Sequence, residues 1–258
     1  MVIKRDFIYT PKGKNRPLHI YLPDDYEETD ERYPVTYFFD GHNLFFDEDA
    51  TYGKSWGLKD FMDGWDKKMI IVGIECGHEG NERLSEYLPF RVTWGEFSHY
   101  KPLGDKTMQW IVNEIKPYID EHFRTMPLRE CTGIAGSSMG GLMSIYGLSH
   151  YNRWFSKGGC VSPCMGYCIR SVMKDLRAHP LDPDSRMYIS WGTREANGIK
   201  DPNRLDRSSK TYSHNKRVAN QALSDGAAVD LYCQVGGAHC EADWEKQIPA
   251  FMDFLWME

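Results

Sequence analysis

Gly133-Ile134-Ala135-Gly136-Ser137-Ser138-Met139-Gly140-Gly141-Leu142 is the stretch that decides the fold. Within it, Gly136-Ser137-Ser138-Met139-Gly140 fits G-x-S-x-G, the nucleophile elbow, in which a serine sits on a sharp strand-to-helix turn with its hydroxyl above a sheet. Such a turn strains the serine backbone and brings strand and helix close together, so the positions two before and two after it must be small. Gly136 and Gly140 satisfy this, which makes Ser138 the candidate nucleophile. The flanks agree. Cys131 to Ala135 is short and apolar enough for a buried strand, and Leu142, Met143, Ile145, Tyr146 and Leu148 give the next segment a helical apolar face.

Working outward, the residues from Val2 to Tyr9 and from Pro17 to Leu22 read as an antiparallel edge pair joined by a turn at Thr10-Pro11-Lys12-Gly13. Pro34 to Phe39 and Met69 to Ile74 are continuous apolar runs, the signature of strands buried on both faces. A helical pattern covers Ser55 to Trp65, and Glu75 to Lys101 is a long Gly-rich, aromatic stretch. Met108, Ile111, Val112, Ile115, Ile119 and Phe123 fall on one face of a helix spanning Asp105 to Phe123. Downstream of the elbow, strands are expected at Gly159 to Val161, Met187 to Trp191 and Val229 to Gln234. Helices are expected at Cys164 to Ala178, Lys210 to Ser224 and Trp244 to Trp256, with Asp201 to Asn215 as a polar loop feeding the second of these. This alternation predicts an α/β fold with a mostly parallel central sheet and helices on both faces. With no internal repeat or linker, residues 1–258 read as one domain.

Composition narrows the function. A net charge of −6 without a basic block argues against nucleic-acid or anionic-membrane partners. Met1 to Asp6 lacks the architecture of a secretory signal, and no window is apolar and long enough to span a bilayer, so a cytoplasmic location is expected. Seven cysteines, an odd number without paired spacing, fit free thiols in a reducing compartment. Cys160, Cys164 and Cys168 recur every four residues and could share a helix face, but no histidine or carboxylate completes a metal site there, so packing is the reading. Aromatic residues make up 14%, most of them expected in the core; Trp56, Trp94 and Trp244 are read as packing rather than cleft residues.

A serine hydroxyl needs a base and an acid to become a nucleophile, and in chains with this elbow both follow the serine, in the order Ser, acid, His. The histidines after Ser138 are His150, His179, His214 and His239. His150 ends the elbow helix and is too far away, while His179 and His214 sit in or beside surface helices. His239, in Gly236-Gly237-Ala238-His239 just after the last expected strand, is left as the base. The acid should follow the strand ending at Trp191, in Gly192-Thr193-Arg194-Glu195-Ala196-Asn197-Gly198. Glu195 is the first candidate, and Asp201 and Asp206 on the same loop stay open. Oxyanion donors are expected from the backbone of Met139, which also starts a helix, and from Gly41-His42 after the third strand.

Five ordered motifs, YFFDGHNLF (37–45), RLSEYLP (83–89), AGSSMGGL (135–142), GTRE (192–195) and GAHCEADW (237–244), together resemble the putative-esterase family of α/β-hydrolases. That family includes esterase D, enterochelin esterase-like proteins, and feruloyl and acetylxylan esterases. The resemblance spans nearly the whole chain and implies an α/β-hydrolase fold, a Ser138, Glu195, His239 triad, and an oxyanion site near Gly41 and Met139. Many members carry Asp where this chain has Glu195. Arg83, Glu86 and Tyr87, in the second motif, either position a loop beside the acyl site or pair with one another. The function implied is a serine carboxylesterase acting on small acyl or feruloyl esters, with a small-molecule or sugar ester as its substrate, and without metal or other cofactor. An acyltransferase using the same acyl-enzyme and an inactive binding module are the alternatives, and a homo-oligomer stays open.

Overall fold

The computed structural model describes residues 1–195 and 201–257; the quoted acid loop therefore lies outside the described residues from position 196 to 198. Ten strands are present: β1 (Val2–Arg5), β2 (Ile8–Tyr9), β3 (Lys14–Asn15), β4 (Leu18–Tyr21), β5 (Val35–Phe39), β6 (Ile70–Ile74), β7 (Thr132–Ser137), β8 (Lys157–Val161), β9 (Arg186–Gly192) and β10 (Ala228–Gln234). Eight of them form one sheet in the order β1-β4-β6-β5-β7-β8-β9-β10. β4 is antiparallel to both neighbours, and every pairing from β6 to β10 is parallel. This is the α/β-hydrolase arrangement, in which the carboxyl ends of the parallel strands share one edge.

The sheet is buried on both faces because its central strands carry apolar side chains pointing in both directions, with only small polar residues such as Thr36 and Thr132 among them. In β5, Tyr37 and Phe39 enter one core while Phe38 enters the other; in β6, Ile70, Val72 and Ile74 face away from Ile71. The first core is covered by α3 (Gly104–Trp110), α4 (Lys116–His122), α5 (Met139–His150), α6 (Ile169–Ala178) and α7 (Lys210–Ser224). The second is covered by α1 (Leu58–Gly64), α8 (Glu241–Trp244) and α9 (Ile248–Trp256), while the short α2 (Glu82–Glu86) packs against the first core through Leu84 and buries Glu86.

Several boundaries differ from expectation for identifiable reasons. The first strand divides, with β1 pairing β4 while β2 and β3 form a separate two-stranded hairpin. The helix expected over 105–123 contains a π-helical turn at Ile111–Ile115. Pro117 has no N–H to return to residue 113, so the regular ladder cannot continue there. Pro249 likewise divides the last helix, leaving a 3₁₀ turn at Glu245–Gln247 between α8 and α9. Pro163 and Gly166 delay α6 to Ile169, which places Cys160 in β8, Cys164 in a loop and Cys168 at the helix N-cap rather than on one helix face. All seven cysteines are free thiols. Finally, α5 is buried from Met139 to Ser149 rather than on one stripe. Gly147 makes this close packing available, since a Cβ there would stand 2.9 Å from Ile134 Cδ1.

Candidate active site

The elbow forms as its sequence requires. Ser138 ends β7 with φ 57° and ψ −118°, and α5 starts at Met139. A Cβ on Gly136 would meet the Gly140 backbone at 3.0 Å, and one on Gly140 would meet Phe39 Cβ at 2.9 Å, so both glycines are needed for the strand-to-helix approach. Three hydrogen bonds hold the strained serine: its N–H donates to Val161 O at 3.0 Å, and its carbonyl accepts from Leu142 N at 3.0 Å and Cys164 N at 2.9 Å.

Glu195 and His239 come from the loops after β9 and β10, and the structure brings them together. His239 Nδ1 lies 3.0 Å from Glu195 Oε2. The other carboxylate oxygen, Oε1, accepts from Gly192 N at 2.8 Å and from Ser162 Oγ at 2.7 Å. The two loops are laced by the backbone, with Thr193 N donating to Gln234 O and Arg194 N to Gly237 O at 2.9 Å. Glu195 is nearly buried at 8% side-chain exposure, whereas His239 is 44% exposed, so the carboxylate is fixed and the imidazole reaches solvent. Asp201 and Asp206 do not take this place: Asp201 Oδ1 accepts from Asn203 N, and Asp206 Oδ1 from Ser208 N and Oγ. The remaining downstream histidines are elsewhere, with His150 and His179 both held by Asp175 and His214 on α7.

Ser138, His239 and His42 line one cleft of about 550 Å³, together with Asp40, Arg83 and Glu241. The Gly41–Asn43 turn follows β5 and lies against β6; a Cβ on Gly41 would stand 2.4 Å from the Gly73 carbonyl carbon, so no larger residue fits there. The leading N–H groups of this turn and of α5 have no carbonyl behind them within their own helix. The His42 ring is buried, and burial lowers its pKa to about 4, so it is neutral near neutral pH.

Sequence reasoning left several site residues without a role. Asp40, buried at the end of β5 in the left-handed region at φ 59°, receives both arms of the Arg83 guanidinium at 2.6 and 2.7 Å. Burial works to raise the Asp40 pKa, but the adjacent Arg83 charge and its hydrogen bonds prevail and hold it below the usual carboxylate value. Tyr87 accepts from Asp40 N at 3.1 Å. Glu86 accepts from Arg16 at 2.6 Å and from Gly77 N at 2.8 Å. Arg83 and Tyr87 thus converge on Asp40 and also contact each other, the Arg83 guanidinium lying 5.4 Å from the Tyr87 ring and Tyr87 N donating to Arg83 O at 2.9 Å, while Glu86 is held by Arg16 and Gly77. Ser162, at φ 45°, links Glu195 to Trp244, whose Nε1 donates to Ser162 Oγ at 3.0 Å. Glu241 is a second buried carboxylate in the cleft, and burial raises its pKa. Trp56 and Trp244 pack 5.9 Å apart, but Trp244 also lines the cleft, its ring 5.0 Å from that of His239, so it is a cleft residue as well, and Trp94 is 58% exposed rather than packed in the core. Its exposure follows from its place in the polar loop before Gly95.

Comparison with known proteins agrees with this architecture. YbbA of Bacillus subtilis (strain 168), an uncharacterized protein, is 26% identical over 251 residues, covering 95% of this chain and 94% of YbbA. The crystal structure of an IroE-like serine hydrolase from Shewanella oneidensis superposes with a TM-score of 0.74 at 17% identity, over 99% of this chain and 79% of that one. The enterobactin esterase FES from Shigella flexneri gives 0.71 at 16% identity; the chain is covered to 99% but spans only 58% of FES. No helix among the described residues is long and apolar enough to cross a membrane. The model of the family described as Putative esterase matches residues 11–255, nearly the entire chain, and the protein therefore belongs to that family.

Proposed function

We propose that this esterase-family protein is a serine carboxylesterase acting on small acyl or feruloyl-type esters, with Ser138 as nucleophile, His239 as base and Glu195 as the acid that orients it. The observation that carries this reading is the 3.0 Å contact of His239 Nδ1 with Glu195 Oε2, made at the mouth of the cleft that also holds the strained Ser138. A carboxylate on Nδ1 keeps the proton there and leaves Nε2 free to take the Ser138 proton as Oγ attacks the ester carbonyl. The tetrahedral oxyanion then receives N–H groups of Met139 and of the Gly41-His42 turn, at the positive end of α5. The imidazolium returns its proton to the leaving alcohol, and water, activated by the same histidine, releases the acid from Ser138. A cleft of this size suits a small or single-ring acyl group better than a long chain.

A fluorophosphonate probe, which reacts only with an activated serine, tests the assignment. One adduct per chain on Ser138 is expected, with labelling and ester turnover both lost in Ser138→Ala by about a thousandfold or more and the thermal transition retained. Labelling that persists in this variant would move the nucleophile, with Ser137 the neighbour to examine.

A further inference from the structure

The cleft holds a second set of reactive groups that ester hydrolysis does not use. His42, Cys76 and His78, from the loops after β5 and β6, each offer one ligand atom, and these atoms lie within 4.8 Å of one another. Their ring nitrogens are sorted. His42 Nε2 meets Thr51 Oγ1 at 3.0 Å, while Nδ1 has no hydrogen-bond partner among the described residues although His42 is only 6% exposed. His78 Nε2 meets Glu75 Oε2 at 2.9 Å, and the other oxygen of that carboxylate is held by His19 Nε2 at 2.5 Å. An outer carboxylate that fixes one imidazole nitrogen and leaves the other for a cation is the usual support of a metal-binding histidine. A buried ring nitrogen without a partner is unfavourable, a cost that a bound cation removes.

We propose that His42, Cys76 and His78 bind a thiophilic divalent cation of the zinc type, and that occupancy inhibits ester turnover. Two imidazoles and a thiol suit Zn²⁺ and disfavour Mg²⁺ or Ca²⁺, which need oxygen ligands. The fourth tetrahedral position falls to water from the cleft. On binding, Cys76 coordinates as thiolate and its proton passes to solvent. The bound cation sits in the cleft that Asp40, the residue leading into the Gly41–Asn43 turn, also lines. It also occupies space lined by Ser138 and His239. The binding half of this inference is independent of the serine-esterase reading; only the inhibition half rests on it.

The chelator-treated full-length protein is titrated with Co²⁺ and Zn²⁺. One equivalent of Co²⁺ should produce a near-ultraviolet thiolate-to-metal charge-transfer band, displaced by Zn²⁺ and absent in Cys76→Ala. A second cluster of the fold, His150, Asp175 and His179, contains no cysteine and cannot give that band. His78→Ala, at an exposed position, should fold normally and need at least about tenfold more Zn²⁺ for half-inhibition, each protein being referred to its own metal-free rate. A cobalt spectrum without the thiolate band, or zinc binding undiminished in both variants, overturns the site. A thiolate band accompanied by unchanged turnover overturns the inhibition alone, and a protein inactive at all metal levels that still shows the band retains the site while refuting the esterase reading.

Discussion

Replacing Glu195 with Gln is the sharpest probe of the site, because the two oxygens of its carboxylate have different partners. Oε1 accepts from two fixed donors, Gly192 N and Ser162 Oγ, and Oε2 faces His239 Nδ1. A glutamine can keep only one oxygen. Holding it against the two donors places the amide NH₂ on His239 Nδ1; the opposite rotamer sets NH₂ against a backbone N–H that cannot turn away. The first is therefore favoured, and it makes Nδ1 an acceptor and puts the ring proton on Nε2, where it blocks deprotonation of Ser138. Loss of the correct tautomer together with the negative charge beside the imidazolium should lower kcat about a thousand- to ten-thousandfold, or about 4–5.5 kcal/mol of barrier, with KM changed little. Steady-state kinetics on a chromogenic short-chain ester, alongside thermal unfolding, measures this. The reasoning is refuted if Glu195→Gln stays within about tenfold of the parent while Asp201→Asn or Asp206→Asn abolishes turnover.

Ser162→Ala removes one of the two donors on Glu195 and the acceptor of the buried Trp244 Nε1; kcat should fall about tenfold, and urea unfolding should register a loss of about 1–3 kcal/mol. Gly192→Ala puts a Cβ 2.2 Å from Gly237 O, backbone against backbone, so the acid and base loops must separate; a stability loss of about 1–3 kcal/mol with a larger drop in kcat than in Tm-matched surface variants is expected. Glu82, on the helix that carries Arg83, is hydrogen-bonded by Lys14, Lys12 and Arg16, and the two lysines, Lys14 foremost, lower its pKa from 4.5 to about 2. A depressed carboxylate pKa stabilises the fold above the unfolded value, and that contribution disappears as pH falls through the folded value. Glu82→Gln should thus cost about 1 kcal/mol at pH 7 after solvent screening, with the gap to the parent closing between pH 4.5 and 2 in urea titrations.

The sheet was legible because its central strands are buried on both faces, which turns Pro34 to Phe39 and Met69 to Ile74 into unbroken apolar runs that few other structures produce. Periodicity failed where its premise failed. It cannot describe α5, which has no solvent face, and it concealed the effects of Pro117 and Pro249, since apolar spacing survives a local change of helix type. Ser138 and His239 could be chosen from chain order and their place after strands. Asp40 with Arg83, and Ser162 with Glu195 and Trp244, could not, because each contact joins residues 33 to 82 positions apart and no local pattern announces it.

Backbone strain marks the same boundary. Among the described residues, the non-glycine positions with positive φ are Asp40, Ser138 and Ser162, which follow the neighbouring strands β5, β7 and β8 at one edge of the sheet. Each such conformation costs about 1–3 kcal/mol and persists only where surrounding bonds over-determine it. Asp40 is held by the Arg83 fork and Tyr87, Ser138 by Val161, Leu142 and Cys164, and Ser162 by Glu195 and Trp244. Only Ser138 needs glycines two positions away on each side, so only Ser138 is announced by local spacing; the other two are stabilised by distant side chains, and nothing in their own spacing shows the strain. Three strained residues at adjacent strand ends, each held by its own set of bonds, keep the Gly41–Asn43 turn, Ser138 and the support of Glu195 in register, which the proposed chemistry requires and the fold alone does not.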